Sequence, residues 1–473
     1  MRSGGMAVLL VCACACLATL TPGRARAQYV EGRASVMLAG GYTALVADKG
    51  APAALSFSAP ILSVAPSLAG LLETARTRQT ALYALTLTAP LAGLPGAVAN
   101  RLDYQGRFEV GSMSTLNLVA TVSEGPLNGF VASTDPAQTP LQTLSAGTGV
   151  LFTASLRESW AQELPARMVF GQTTAVSFGD PMGASTLVPK SLAVHNGFLL
   201  GRHLERDTLS LSADVGVDRF TAADVGVLGA PDILPAHTEL VDTFAFLWTR
   251  TLSETWSSSA SVGLVHAVSI DGPTGHRVQP IGSATVTYRR ELATLMAGYA
   301  HQAGMNLSDG TETFSDQLQA RASLPLGQTG LFSSFTLGFS HITPLDADLT
   351  SASASNVVVA DAGFLYFPTR IPWLTAGLRG QIHRQSASTA TANAVTGAVD
   401  PGSSFGFTRY SATLSVSFSF PRATAALIQP NLGVFAPMPM AEVLEPPPSA
   451  PLGGPDGYQN GALGNGTAPP DEP

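Results

Sequence analysis

The sequence predicts an all-β protein, a transmembrane antiparallel up-and-down β-barrel of about 18 strands. Three observations carry this. First, 45% of the 473 residues are hydrophobic, yet only 12% are Asp, Glu, Lys or Arg, against roughly 25% in soluble domains. Second, beyond the N-terminus there is no run of about 18 apolar residues, which a spanning helix requires. Third, apolar and polar residues alternate with period two along most of the chain, the signature of strands. High hydrophobicity with little charge also excludes disorder for most of the chain.

The first segment, 1–27, reads as a cleaved export signal. Arg2 precedes the apolar stretch 6–20, and Ala25-Arg26-Ala27 forms a small-x-small cleavage site before Gln28. A retained membrane anchor is disfavoured because the apolar core is short. The residues before Cys14 and Cys16 fit a lipoprotein cleavage box poorly. Arg2, Arg24 and Arg26 leave with the signal and no acid does, so the formal charge of −8 becomes −11. All three cysteines, Cys12, Cys14 and Cys16, lie in this segment, which excludes a Cys-dependent site downstream. With only Lys49 and Lys190 as lysines there is no basic stripe, so nucleic acid is not an expected partner.

Strands are then predicted at 35–47, 66–74, 78–90, 101–111, 113–123, 144–161, 166–179, 190–204, 207–221, 239–252, 255–270, 277–290, 292–304, 312–324, 331–343, 356–367, 371–386 and 405–420. The alternation is clearest at 209–217, where Leu209, Leu211, Ala213, Val215 and Val217 oppose Ser210, Ser212, Asp214 and Gly216. It recurs where Leu102, Tyr104, Phe108 and Val110 oppose Asp103, Gln105, Arg107 and Glu109. It recurs again where Tyr410, Leu414, Phe418 and Phe420 oppose Ser411, Ser415 and Ser419.

The joints alternate too. Tight ones, such as 75–77, Ser112, 205–206, 253–254, Glu291 and 368–370, take turns with long ones rich in Gly, Pro, Asp and Ser, such as 124–143, 222–238, 344–355 and 387–404. Short turns at one end and long loops at the other are the habit of outer-membrane barrels. The strand at 66–74 runs inward into a tight turn, so an outward strand must precede it. The segment 35–47 fills that place and makes the count even, at 18, with 16 the alternative. A soluble sandwich would put Lys, Glu and Arg on its polar face. Here that face is Ser, Thr, Gly and Gln, and the apolar face carries Phe244, Phe246 and Trp248. Lipid has no water for open edges, so such a sheet must close.

On these residues the chain resembles the single-chain β-barrel outer-membrane proteins of Gram-negative bacteria, over about residues 34–420. The alternating last strand, with Tyr410, Phe418 and Phe420, is similar to that family's C-terminal assembly signal. It lacks the usual Gly, and a further segment, 421–473, follows it. The resemblance implies placement in outer-membrane lipid and recognition by the barrel-assembly machinery. More weakly, size and a neutral lumen resemble the barrels of surface-polysaccharide export systems, which implies periplasmic export components as partners. The segment 421–473, with Pro446-Pro447-Pro448 and several Gly-rich stretches, reads as a disordered periplasmic tail.

No catalytic, cofactor or metal motif stands out. Gly402-Ser403-Ser404-Phe405-Gly406 has the form of a nucleophile elbow but lacks its strand-to-helix setting. His237 and His276 fall in predicted outer loops near Asp232 and Asp271, the one arrangement compatible with a rim hydrolase. An aqueous lumen is expected for this strand number. Its expected charged lining is Asp103, Arg107, Glu109, Asp214, Asp218, Arg289, Arg321 and Arg379, of mixed sign. The loop 124–143, with Asn128 and Asp135, is a candidate constriction. The expected function is therefore a channel rather than an enzyme, passing neutral or polar material, polysaccharide first. A diffusion pore and an occluded surface barrel are the rivals.

Overall fold

The computed structural model describes residues 29–48, 57–90, 96–126, 150–182, 190–224, 233–234, 236–271, 276–306, 311–327, 330–344, 354–368, 370–371, 373–388, 391–392, 399–400 and 404–420. The expected export signal, the 421–473 tail, Asn128, Asp135, Asp232 and Ser403 lie outside them.

Eighteen strands form one closed antiparallel sheet. They are β1 (Tyr29–Ala47), β2 (Phe57–Glu73), β3 (Thr77–Pro90), β4 (Ala97–Gly111), β5 (Ser114–Pro126) and β6 (Val150–Leu164). Then come β7 (Met168–Met182), β8 (Ser191–His203), β9 (Asp207–Phe220), β10 (His237–Thr251), β11 (Trp256–Ser269) and β12 (His276–Arg290). The last six are β13 (Ala293–Asn306), β14 (Thr311–Pro325), β15 (Leu331–Pro344), β16 (Ala354–Tyr366), β17 (Leu374–Ser388) and β18 (Ser404–Phe420). Each pairs with its neighbour in sequence, and β1 also pairs with β18, from Ala34 opposite Phe420 to Ala47 opposite Phe407. That seam closes the barrel and removes the 16-strand alternative.

The strands extend beyond their predicted bounds mainly at the start of the chain. β1 begins at Tyr29, and β2 begins at Phe57 where 66 was expected. Pro60 and Pro66 disguise this part of β2, because proline has no N–H to give a ladder. The β2–β3 register accordingly passes from Val64–Leu87 to Ser67–Ala84 without pairing Ala65 or Pro66. On its other side β2 stays in continuous register with β1. The wall therefore survives a residue that would disqualify an isolated central strand. β6 is described from Val150, and the predicted 144–149 lies outside the described residues.

The two faces of the sheet separate by chemistry. One face is apolar and exposed, with Val215, Val217, Phe244, Phe246, Val262, Leu264, Leu378 and Leu414. Aromatic side chains gather near the short-turn end of this face. Trp373 stacks on Phe418 at 5.9 Å and on Phe420 at 6.0 Å, and Trp256 packs on Tyr288 at 4.9 Å. Trp248 Nε1 donates to Asp207 at 2.8 Å. An outward apolar band with aromatic girdles is what lipid selects in a barrel. No described helix is long and apolar enough to cross a membrane. The opposite, concave face is lined with Ser, Thr, Gly, Gln and the charged residues.

Candidate functional site: the barrel lumen

The eight predicted lining charges all fall on the concave face, because each occupies the polar parity of its strand. The structure brings several of them into local pairs. On β4, Arg101 Nε and Nη2 donate to Asp103 at 2.7 and 2.8 Å, and Thr121 Oγ1 of β5 donates to the same carboxylate at 3.0 Å. On β17, Arg379 pairs with Asp361 of β16.

On β8 and β9, His195 sits between two acids, with Nδ1 3.1 Å from Asp214 and Nε2 3.0 Å from Asp218. Carboxylates only accept, so both contacts ask the ring to donate. The alternating face of β9 puts Asp214 and Asp218 on either side of Gly216, the register partner of His195. A Cβ on Gly216 would overlap the imidazole, so glycine is what lets the ring lie flat against β9. Asp218 is 1% exposed.

Arg107, Glu109 and Arg289 stand near the short-turn end, at the open inner part of the lumen. Sequence reasoning placed the acids and arginines on the right face but missed Arg101, His195 and Asp361 as their neighbours, and missed the His383–Arg409 register pair on the same face. The even spacing of Asp214, Gly216 and Asp218 was the one available hint.

The outer half of the lumen is packed. Phe314 lies on the parity of β14 that elsewhere faces outward, yet it is 3% exposed and clusters with Val241, Val265 and Ala267. Those three belong to the concave face of β10 and β11. Ile281 of β12 and Ala303 of β13 pack against the same cluster. The β12–β13 register ends at Gly282–His301, although both strands continue beyond it. Pro280 stands next on that face of β12, and it has no N–H to extend the ladder. Freed there, the outer end of the β13–β14 hairpin lies inside the wall, its former outer face against the lumen side of β10–β12. This apolar layer narrows the mouth. It was not legible as alternation, which assigned Phe314 outward.

Nearby, Phe220 stacks on His237 at 4.8 Å, and His237 lies 3.6 Å from Glu239. On the following strands, the concave faces of β15, β16 and β17 are also buried in their outer halves, with Val357 at 0% exposure. Polar atoms are left there without a hydrogen-bond partner: Oγ of Ser340 and Ser355, Nε2 of Gln381 and His383, and Oε1 of Gln385.

The rim arrangement of His237 and His276 is corrected. Both are first residues of strands, not loop residues, and they point to opposite sides of the wall. His237 faces the lumen, whereas His276 faces outward and stacks on His266 at 5.8 Å. No group of three or more His, Cys, Asp or Glu among the described residues is arranged to hold a metal.

A closed 18-strand wall with an apolar, aromatic-edged exterior and a polar interior decides the setting. This is an outer-membrane β-barrel. No known protein family and no curated protein matches the chain. Solved barrels do resemble it in structure. OpdQ of Pseudomonas aeruginosa is 12% identical, with 82% of this chain and 98% of that one covered and a TM-score of 0.42. The outer membrane protein OpdK of Pseudomonas aeruginosa, solved with vanillate, is 11% identical over 82% and 99%, at 0.40. The siderophore receptor PirA from Acinetobacter baumannii is 8% identical over 82% and 80%, at 0.40.

Proposed function

We propose that the protein is a passive outer-membrane channel for small, polar, uncharged solutes. The observation that carries this reading is the pairing of lining charges within the wall. Asp103, Asp361 and the two acids around His195 are each engaged by a neighbouring strand or residue. Hydroxyl and amide groups of the open part of the lining remain to meet a solute. Selectivity in a pore follows its lining charges and its constriction. Charges that cancel in adjacent pairs give little preference for either ion sign. The neutral lining also suits a polysaccharide, but the packed outer half disfavours so wide a passenger. Phe418 and Phe420, stacked on Trp373 at the inner rim, are in this reading the residues that the assembly machinery recognises.

Swelling of liposomes holding the purified protein tests this directly. Glucose should enter faster than gluconate of similar size, and planar-bilayer conductance should be nearly unselective. Folded protein that gives neither swelling nor conductance would sink the channel reading.

A second reading has its own support. Burial of the outer lumen wall on β9–β11 and β15–β17 favours an occluded surface barrel. It predicts silence from the full chain and conductance after removal of 421–473 or of the Phe314 contact.

A further inference from the structure

At the short-turn end of the wall, the turns 165–167 and 204–206 stand side by side, because β7 pairs with β8. A cavity of about 640 Å³ lies between them, a size that suits a small ligand or a head group. Four arginines line it: Arg167 and Arg206 from the two turns, Arg202 from β8 and Arg250 from β10. Arg202 and Arg250 take the outward parity of their strands and flank β9, where they are opposite Leu209 and Asp207. Strands lie about 4.8 Å apart, so two side chains of this length reach one group above β9.

The lining is short of acids. Glu205 and Asp207 are the two it has, so four arginines leave an excess of two positive charges. His203 is engaged by Thr208 at 2.9 Å. Among the described residues, Arg250 alone of the four arginines has an acid within ion-pair distance, Asp207 at 3.9 Å. That carboxylate already accepts from Trp248 Nε1 at 2.8 Å. Arg167, Arg202 and Arg206 keep their guanidinium donors for another group.

The turn that presents Arg167 is held at a cost. Ala166 has φ 62° and Arg167 φ 59°, and the Met168 N–H donates to the Pro165 carbonyl. Two-residue hairpins of this shape favour Asn-Gly, because both central residues need positive φ. Strain of this kind gathers where a side chain is being positioned for function.

Trp248 sets the depth. Tryptophan seats its ring at the head-group level of a bilayer, and here the ring's N–H meets Asp207 in the cavity lining. The arginines thus stand at the plane of the lipid phosphates, on the periplasmic side that short turns occupy. Beyond them, Leu200, Leu209 and Leu211 are exposed on the outward faces of β8 and β9, an apolar track for acyl chains. The guanidinium fork matches phosphate oxygens two at a time.

We infer that this cavity binds the phosphodiester of an anionic phospholipid of the periplasmic leaflet, between Arg202 and Arg250, with Arg167 and Arg206 over its polar end. The outward parity of Arg202 and Arg250 and the leucine track favour a lipid over a soluble anion. The inference rests on the barrel alone and is independent of what crosses the lumen.

The test uses the full chain purified in a nonionic detergent and titrated with phosphatidylglycerol, phosphatidylcholine or inorganic phosphate, read by native mass spectrometry. One phosphatidylglycerol should be held per barrel, roughly thirtyfold tighter than phosphatidylcholine, as two excess charges beside an anionic head group give. Added salt should weaken it. Arg202→Gln combined with Arg250→Gln should abolish the preference, and heat-dependent gel mobility reports whether this variant is folded. Arg290→Gln, at the same rim on β12, should keep it. The inference is overturned by a wild type that holds both lipids alike, by a folded double variant that keeps the preference, or by an Arg290→Gln variant that loses it. Inorganic phosphate that binds as tightly as the lipid would make this a site for a soluble anion and overturn it too.

Discussion

The inner and outer halves of the lumen are built from the same strands and the same alternation, yet they behave as different materials. Near the short turns, Arg107, Glu109 and Arg289 stand in open space and small polar residues line the wall. Farther out, Phe314, Phe220 and Val357 are buried, and so are the titratable Asp218 and His383. Pattern decides which side of the wall a residue takes. What covers that side depends on contacts distant in sequence. In the open half a charge is screened by water. In the packed half its partners set its cost.

Breaking the packed half should have the larger effects. His195→Ala leaves Asp214 and Asp218 without their shared partner. Removing one member of a buried ion pair costs about 3–5 kcal/mol, so the midpoint of heat-dependent gel mobility should fall by far more than it does for Arg289→Ala. Phe314→Ala should come next. Truncating a buried Phe costs about 3 kcal/mol, roughly a hundredfold in the docked population of the β13–β14 hairpin. Single-channel conductance should rise and become less steady. Unchanged conductance would mean that this layer does not limit the pore.

Gly216→Ala should cost about 1–3 kcal/mol, as an overpacked site does, by pushing His195 off β9. A variant as stable as wild type would remove Gly216 from the argument. The smallest effect is expected for Arg289→Glu in the open half. An exposed charge there is worth about 1 kcal/mol or less, so the reversal potential under a salt gradient should move slightly toward cations. A large shift would mean that the open half, not the packed one, controls passage.

Much of the wall was legible because lipid outside and water inside impose a strict period of two. All 18 strands follow from it, and the strand before residue 66 follows from parity alone. Propensity failed at Pro60 and Pro66, where closure against β1 outweighed the missing N–H. The site was legible only by face. Asp103, Asp214 and Arg379 could be assigned to the lumen, but their partners Arg101, His195 and Asp361 depend on register, which period two does not specify. Phe314 was misassigned for a different reason. A single proline, Pro280, ended a ladder and let a hairpin change sides, which no local pattern announces.

The seam between the first and last strands makes assembly a matter of timing. Arg33 Nη2 reaches Ser419 across 386 residues of chain, at 2.6 Å. Closing so long a loop costs about 5 kcal/mol of chain entropy from its length-dependent part. Until β18 arrives, β1 and β17 each present a bare edge, and bare edges recruit other strands. The barrel is thus most exposed to error just before it is finished. A stop codon between residues 389 and 403 would leave a sheet that has all its strands but the last and no way to end.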